Sequence, residues 1–280
     1  MNNKPFKQAP LPFIGQKRMF LNAFQKVLKE HIPSDGAGWT IIDAFGGSGL
    51  LSHTAKRTCP KARVIYNDFD GYVERLQHIE DTNRLRRMLF DVLQNQPREK
   101  KIKAPVKEAV VQILETFNGY KDINCISSWL LFSGNNAQSL PALYQKTFYQ
   151  NIRKNDYPLA ENYLAGLEIT HECYTDLLPR FYHVPNCLFV LDPPYICTDQ
   201  SSYKMDSYFG LVQFLRLTGF IRPPWIMFSG AKSEWLDYLN FVTTSDAEGC
   251  NRMSDYQRIN IQTRLNYSSV YEDNLTYKFS

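Results

Sequence analysis

Apolar residues along the chain follow two rhythms, and the places where one gives way to the other divide the molecule. Trp39-Thr40-Ile41-Ile42 is a short β-rich run entered from the turn-rich Pro33-Ser34-Asp35-Gly36-Ala37-Gly38, and it predicts a strand. Asp43-Ala44-Phe45-Gly46-Gly47-Ser48-Gly49 then predicts a glycine turn, Leu50 to Arg57 a helix without breakers, and Ala62-Arg63-Val64-Ile65-Tyr66 a second strand ending at Asn67-Asp68. From about residue 72 to 165 the rhythm is helical: Val106, Val110, Val111, Ile113, Leu114 and Phe117 fall at helical spacing, and no strand signal interrupts them. Strand character returns at Leu167 to Thr170, at Cys187 to Leu191 and, after Pro223-Pro224, at Trp225 to Ser229. Arg258 to Thr263 and Asn274 to Phe279 alternate and predict an antiparallel end to the sheet.

The expected fold is therefore α/β, a Rossmann-like sheet that is mostly parallel with an antiparallel C-terminal strand. Residues 1–75 and 166–280 form its catalytic part and residues 76–165 a helical insertion. An insertion of roughly ninety residues exceeds an ordinary connection and points to a task of its own.

Charge changes the picture more than composition does. Hydrophobic residues at 44% and charged residues at 21% are ordinary for a soluble enzyme, and no apolar run approaches the ~20 residues of a membrane span. The N-terminus shows neither a signal nor a transit peptide, which predicts a cytoplasmic protein. Six cysteines, Cys59, Cys125, Cys173, Cys187, Cys197 and Cys250, contain no CxxC pair and read as free thiols, while the histidines lack metal-ligand spacing, so no metal is expected. The net charge of +4 is small, but Arg84, Arg86, Arg87, Arg98, Lys100, Lys101, Lys103 and Lys107 crowd one stretch against Asp91 and Glu99 alone. Taken by itself that stretch is equally a solvated helix face or a nucleic-acid surface.

Two motifs carry chemistry. Gly46, Gly47 and Gly49, between a strand and a helix, let backbone approach a ligand, and Asp68 stands about twenty positions on, where an acidic residue grips ribose hydroxyls. This predicts a nucleoside cofactor, with NAD and S-adenosylmethionine satisfying it equally. Asp192-Pro193-Pro194-Tyr195 follows a fully apolar strand and so projects into the crevice at its carboxyl end. An exocyclic amino nitrogen, its lone pair delocalised, needs hydrogen-bond acceptors to become nucleophilic. The Asp192 carboxylate and the Pro193 carbonyl supply them, the prolines hold the direction, and Tyr195 offers an aromatic face to a base that has left its duplex. Ser229, at the end of an apolar strand, is placed to touch such a base.

On these residues the chain resembles the amino-methylating DNA methyltransferases, and among them the D12 class of adenine-specific enzymes that includes the Dam-type proteins. Pro12-Phe13-Ile14-Gly15-Gln16-Lys17-Arg18 is similar to the N-terminal motif whose aromatic (Phe13), glycine (Gly15) and lysine (Lys17) border the cofactor. Asp43 to Gly49, with Phe45 among them, resembles the D-x-F-x-G-x-G cofactor loop, Asn67-Asp68 the ribose-binding position, and Cys173-Tyr174-Thr175-Asp176 the segment whose aspartate reads the cofactor's adenine. The resemblance implies a class I methyltransferase sheet, S-adenosylmethionine as methyl donor, transfer to N6 of a flipped-out adenine in double-stranded DNA, and a cofactor site that includes Asp176 and Asp192. It also implies that the insertion recognises the target. Arg84, Arg86, Arg87, Lys100 and Lys101 would neutralise phosphates, and Asn135, Asn136 and Arg153, with Trp129, Phe132 and Tyr144, would reach base edges. The asparagine- and glycine-rich signature for GATC is not found. Cytosine N4, RNA adenine and a protein glutamine amide share the nitrogen chemistry, and an inactive DNA-binding relative shares the fold. A lone methyltransferase, a restriction-modification partner and a phage enzyme would carry the same motifs.

Overall fold

The computed structural model describes residues 6–196, 209–230, 233–244, 252–264 and 270–280, so Cys197 and Cys250 lie outside the described residues. Its centre is a seven-stranded sheet in the order β3-β2-β1-β4-β5-β7-β6. The strands are β1 (Thr40–Asp43), β2 (Arg63–Asn67), β3 (Glu168–Thr170), β4 (Cys187–Leu191), β5 (Trp225–Gly230), β6 (Gln257–Arg264) and β7 (Val270–Lys278). β1 to β5 run parallel, whereas β7 is antiparallel to both β5 and β6. This is the mostly parallel, Rossmann-like sheet with an antiparallel end that the hydrophobic pattern predicts.

Alternation along the central strands sorts their side chains onto two faces. Ile41, Leu188 and Val190 point to a core shared with α1 (Leu21–His31) and α2 (Leu50–Thr58), while Ile42, Phe189 and Leu191 point to a core shared with α8 (Tyr174–Phe181), α9 (Leu211–Phe220) and α10 (Trp235–Thr244). β6, at the edge, half-buries Ile259 and Ile261 and turns Arg258, Asn260 and Gln262 to solvent, the alternation of a strand with one wet face.

Between β2 and β3 run α3 (Tyr72–Gln77), α4 (Ile79–Leu93), α5 (Ala104–Thr116), α6 (Ile123–Leu130) and α7 (Leu140–Tyr144). Their buried Leu85, Leu89, Leu114, Trp129 and Leu143 belong to the same apolar cluster as Ile41 and Leu51. The insertion thus extends the core on one face of the sheet. Among the described residues no helix is long and apolar enough to cross a membrane.

The strand order reverses direction between β1 and β4, both paired over Thr40–Asp43, and a crevice opens there at the carboxyl ends.

Candidate active site

A cavity of about 400 Å³ fills that crevice, and the glycine turn forms its floor. Gly46 has no room for a side chain, since a Cβ would collide with the Tyr66 ring, and a Cβ on Gly47 would stand 2.8 Å from the Phe13 ring. Gly47 also takes φ of 47°, a left-handed conformation that L side chains resist. The Tyr66 hydroxyl donates to the Gly47 carbonyl at 2.7 Å and fixes the turn from below. Phe13, Gly15, Lys17, Phe45, Gly46 and Gly47 all line the cavity, while Gly49, at φ of 72°, starts α2 just behind it.

Asp43 sits under this floor, fully buried. Ser52 Oγ donates to its Oδ2 at 2.6 Å, and Oδ1 has no hydrogen-bond partner among the described residues. Burial pushes its carboxyl up to about 7, the Ser52 bond opposes this, and the nearby Asp192 charge adds to it. An unpartnered buried acceptor beside a glycine cradle suits the charged tail of an amino-acid-bearing nucleoside. Phe45, Tyr174 and Phe209 supply an aromatic wall, with Phe45 centroids 5.3 and 6.1 Å from the other two rings. Cradle, orphan acceptor and aromatic wall therefore fit S-adenosylmethionine.

Two acidic residues are placed otherwise than their spacing suggests. Asp68 is completely buried: Oδ1 accepts from Tyr72 N at 2.6 Å and Oδ2 from Val73 N at 2.8 Å, so its carboxylate caps α3 instead of facing a ribose. The carboxylate that lines the cavity at this turn is Asp70. Asp176 is exposed in the first turn of α8, off the cavity wall, which Glu172, Cys173, Tyr174 and Thr175 form in its place.

The cap on α3 matters to the front wall. Tyr72 Oη both accepts from Leu11 N and donates to Leu11 O at 2.9 Å, and Arg75 donates to Pro12 O at 2.8 Å. These bonds hold the N-terminal segment so that Phe13 and Lys17 reach the crevice. Arg75 also forms a buried ion pair at 2.8 Å with Asp122, which caps α6 of the insertion through Cys125 N.

β4, buried along its whole length, delivers Asp192 to the opposite wall. Lys17 Nζ lies 2.7 Å from Asp192 Oδ2, with side-chain exposures of 11% and 17%, and also donates to Gly15 O at 3.0 Å. Burial raises the Asp192 carboxyl, Lys17 opposes the rise, and Asp273 adds to it. Pro194 lines the cavity beside Asp192, and Pro193 is buried. Tyr195 packs beside Gly230, where a Cβ would stand 3.1 Å from its ring. Ser229 Oγ is buried without a hydrogen-bond partner. Gly230, Asp70 and Asp273 carry no sequence signal that singles them out, since each becomes part of the site only through strand pairing or loop geometry.

The insertion divides its polar residues between two uses. Arg86 is buried at 4% exposure, donating to Asp156 and to the carbonyls of Arg153 and Lys154, so it is a structural cation and not a phosphate contact. Arg87 pairs with the same Asp156 at 2.6 Å, and Arg84 pairs with Asp81 at 2.8 Å while lying over the Phe117 ring. Trp129 is core, donating to Tyr157 Oη at 3.0 Å. Lys100 and Lys101 are exposed. Asn135, Asn136 and Arg153 come together in a second cavity of about 740 Å³, with Asn124, Asn151 and the exposed Phe132. Phe13, Ile14, Gly15 and Gln16 line both cavities, so the two share one short segment of wall.

A family model for D12 class N6 adenine-specific DNA methyltransferases matches residues 13–211 of the chain. A Haemophilus influenzae protein that carries the name "Putative methyltransferase" is 50% identical over 279 residues, covering 99% of this chain and 94% of that protein.

Proposed function

Because the chain belongs to the D12 class of N6 adenine-specific DNA methyltransferases, we propose that it moves a methyl group from S-adenosylmethionine to N6 of an adenine turned out of double-stranded DNA. One observation supports this most: the Asp192–Lys17 pair stands at the wall of a glycine-floored cavity whose fully buried neighbour Asp43 keeps one oxygen unpartnered.

In this reading the glycine turn, Phe13 and the Asp43 carboxylate hold the amino-acid end of the cofactor, Asp70 accepts from its ribose, and Phe45, Tyr174 and Phe209 pack against its adenine. S-adenosylmethionine, once bound, supplies an electrophilic sulfonium methyl. Asp192 and the Pro193 carbonyl accept hydrogen bonds from the amino group of the target base, which localises its lone pair for attack. With the cofactor held there, attack by the amino nitrogen would take the methyl and release a neutral thioether, and the surplus amino proton would leave to Asp192 or to water. Tyr195 presents its ring to the flipped base. Neither a metal nor a nucleophilic cysteine is part of this sequence of events.

The insertion and the second cavity form the DNA-facing side. Asn135, Asn136 and Arg153 are proposed to meet base edges, since amides pair with adenine and guanidinium with guanine in the major groove. Lys100, Lys101 and the exposed Arg84 and Arg87 are proposed to lie near phosphates. The test is transfer of tritium from labelled S-adenosylmethionine into unmethylated random-sequence DNA, followed by nucleoside analysis and base-resolution mapping. Label in N6-methyladenine is expected. Label in N4-methylcytosine, or none in DNA, would overturn the reading.

A further inference from the structure

Four groups converge at the crevice mouth from separate stretches of chain. Lys17 comes from the N-terminal segment, Asp192 and Tyr195 follow β4, and Asp273 stands in β7 directly across from Gly230 of β5. Gly230 lets them meet. A Cβ there would lie 3.1 Å from the Tyr195 ring and 3.4 Å from Asp273 Oδ1, so the ring edge and the carboxylate share the space over bare backbone. Lys17 Nζ, 2.7 Å from Asp192, is 5.6 Å from the centroid of the same ring. Glu272, the neighbour of Asp273 in β7, is engaged elsewhere with Arg258.

One ammonium therefore faces two carboxylates around one aromatic ring. Asp192 is faced by Lys17, Asp43, Tyr195 and Asp273. Burial raises both Asp192 and Asp273 and Lys17 opposes both rises, while the Asp273 charge raises Asp192 further and the Asp192 charge raises Asp43.

This placement sets a condition on the reaction. The carboxylate that Lys17 grips is the one that must accept from the amino group of the base. An ammonium left in a mostly buried position without a counter-charge is unfavourable, so a second carboxylate beside the same ring lowers the barrier to exchange. We propose that Asp273 is a positioning residue for methyl transfer: it receives the Lys17 ammonium when the substrate amino group claims Asp192. The inference rests on the reaction proposed above. No covalent bond changes in this exchange, which replaces one N–H···O contact by another and leaves every charge partnered.

The test compares the wild type with Asp273→Asn, Asp273→Ala and Asp273→Glu. It measures kcat for methyl transfer to random-sequence duplex DNA between pH 5.5 and 9, the calorimetric Kd of sinefungin over the same range, and Tm. The Asn variant is expected to lose about tenfold to a hundredfold in kcat, with sinefungin affinity at pH 8 within about threefold and Tm within about 2 °C of wild type. Glu restores most of the rate. Removing the Asp273 charge also lets Asp192 ionise more readily, so the acid limb of kcat moves to lower pH in Asp273→Asn, and the added Asp192 charge beside Asp43 displaces the acid limb of sinefungin affinity.

An Asn variant with wild-type kcat and unmoved acid limbs would overturn the proposal. So would a loss of rate that runs in parallel with lost Tm and sinefungin affinity and is not rescued by Glu, because that pattern marks a residue that merely supports the fold. If the wild type bound sinefungin but methylated no DNA, the proposed reaction would fall. Asp273 would then still be judged by the pH dependence of sinefungin affinity, which moves if the carboxylate is coupled to Lys17 and Asp192 and stays fixed if it is not.

Discussion

The sheet crevice and the helical insertion use charge in opposite ways. In the crevice, acidic groups are buried and held at positions that burial itself disfavours: Asp43 is raised to about 7 with one oxygen unpartnered, and Asp192 is raised despite Lys17 at 2.7 Å. In the insertion, the three arginines of α4 that stand out in the sequence already face carboxylates within the protein. Arg86 and Arg87 share Asp156, and Arg84 is held by Asp81. A crowd of arginines is therefore a weaker sign of a DNA surface than a single carboxylate kept short of partners is of a reaction site.

Asp192→Ala puts the crevice to the hardest test. It removes the acceptor at the reacting nitrogen, and methyl transfer is expected to fall by about 10²–10³ or more while sinefungin affinity changes less than about tenfold. A rate within tenfold of wild type would show that the carboxylate is a bystander.

Arg86→Ala tests the insertion. It removes a buried guanidinium from a half-exposed Asp156 that keeps Arg87 as partner, together with two hydrogen bonds to carbonyls, and urea unfolding should show a loss of about 2 kcal/mol. The salt dependence of DNA binding should stay as in wild type. If the slope changed and the stability did not, Arg86 would be a phosphate contact after all.

The double variant Lys100→Ala, Lys101→Ala should do the reverse. Stability should hold, and the slope of log affinity against log salt should become shallower by about 2 if each lysine neutralises one phosphate.

At Asp43 the effect appears only as pH is varied, and its sign is definite. A carboxyl at about 7 in the folded protein, against an ordinary 3.8, means that the unfolded chain ionises first as pH rises, so the ligand-free protein loses stability between about pH 4 and 7 and regains none above. Asp43→Asn avoids that loss. Its Tm should match wild type near pH 4 and exceed it by about 7 °C above pH 7.

Much of the site is legible in the sequence because it is local. Asp43 to Gly49 and Asp192 to Tyr195 are contiguous, each follows an apolar strand, and a strand end in a parallel sheet fixes where the next residues go. What is not legible depends on geometry that spacing does not encode. Counting from the glycines reaches Asp68, but the same carboxylate is an efficient cap for the next helix, and Asp70 takes the place at the cavity. Asp176 turns outward because α8 begins at Tyr174, and Arg86 meets Asp156, 70 positions further along the chain, only once the insertion has folded. Asp273 arrives from the far end of the chain through the register of β7 on β5, which no motif announces.

Arg75 sits where the crevice and the insertion touch. With one side chain it steadies Pro12 at the front of the crevice and pairs with Asp122 at the head of α6. The two parts are thus not freely interchangeable modules. A chimera that grafts a relative's insertion helices onto this sheet must bring a carboxylate to the position of Asp122, or it will unsettle the segment that carries Phe13 and Lys17. Exchange of whole insertions between relatives would meet the same requirement, and crossovers would be tolerated best where this pair is inherited together.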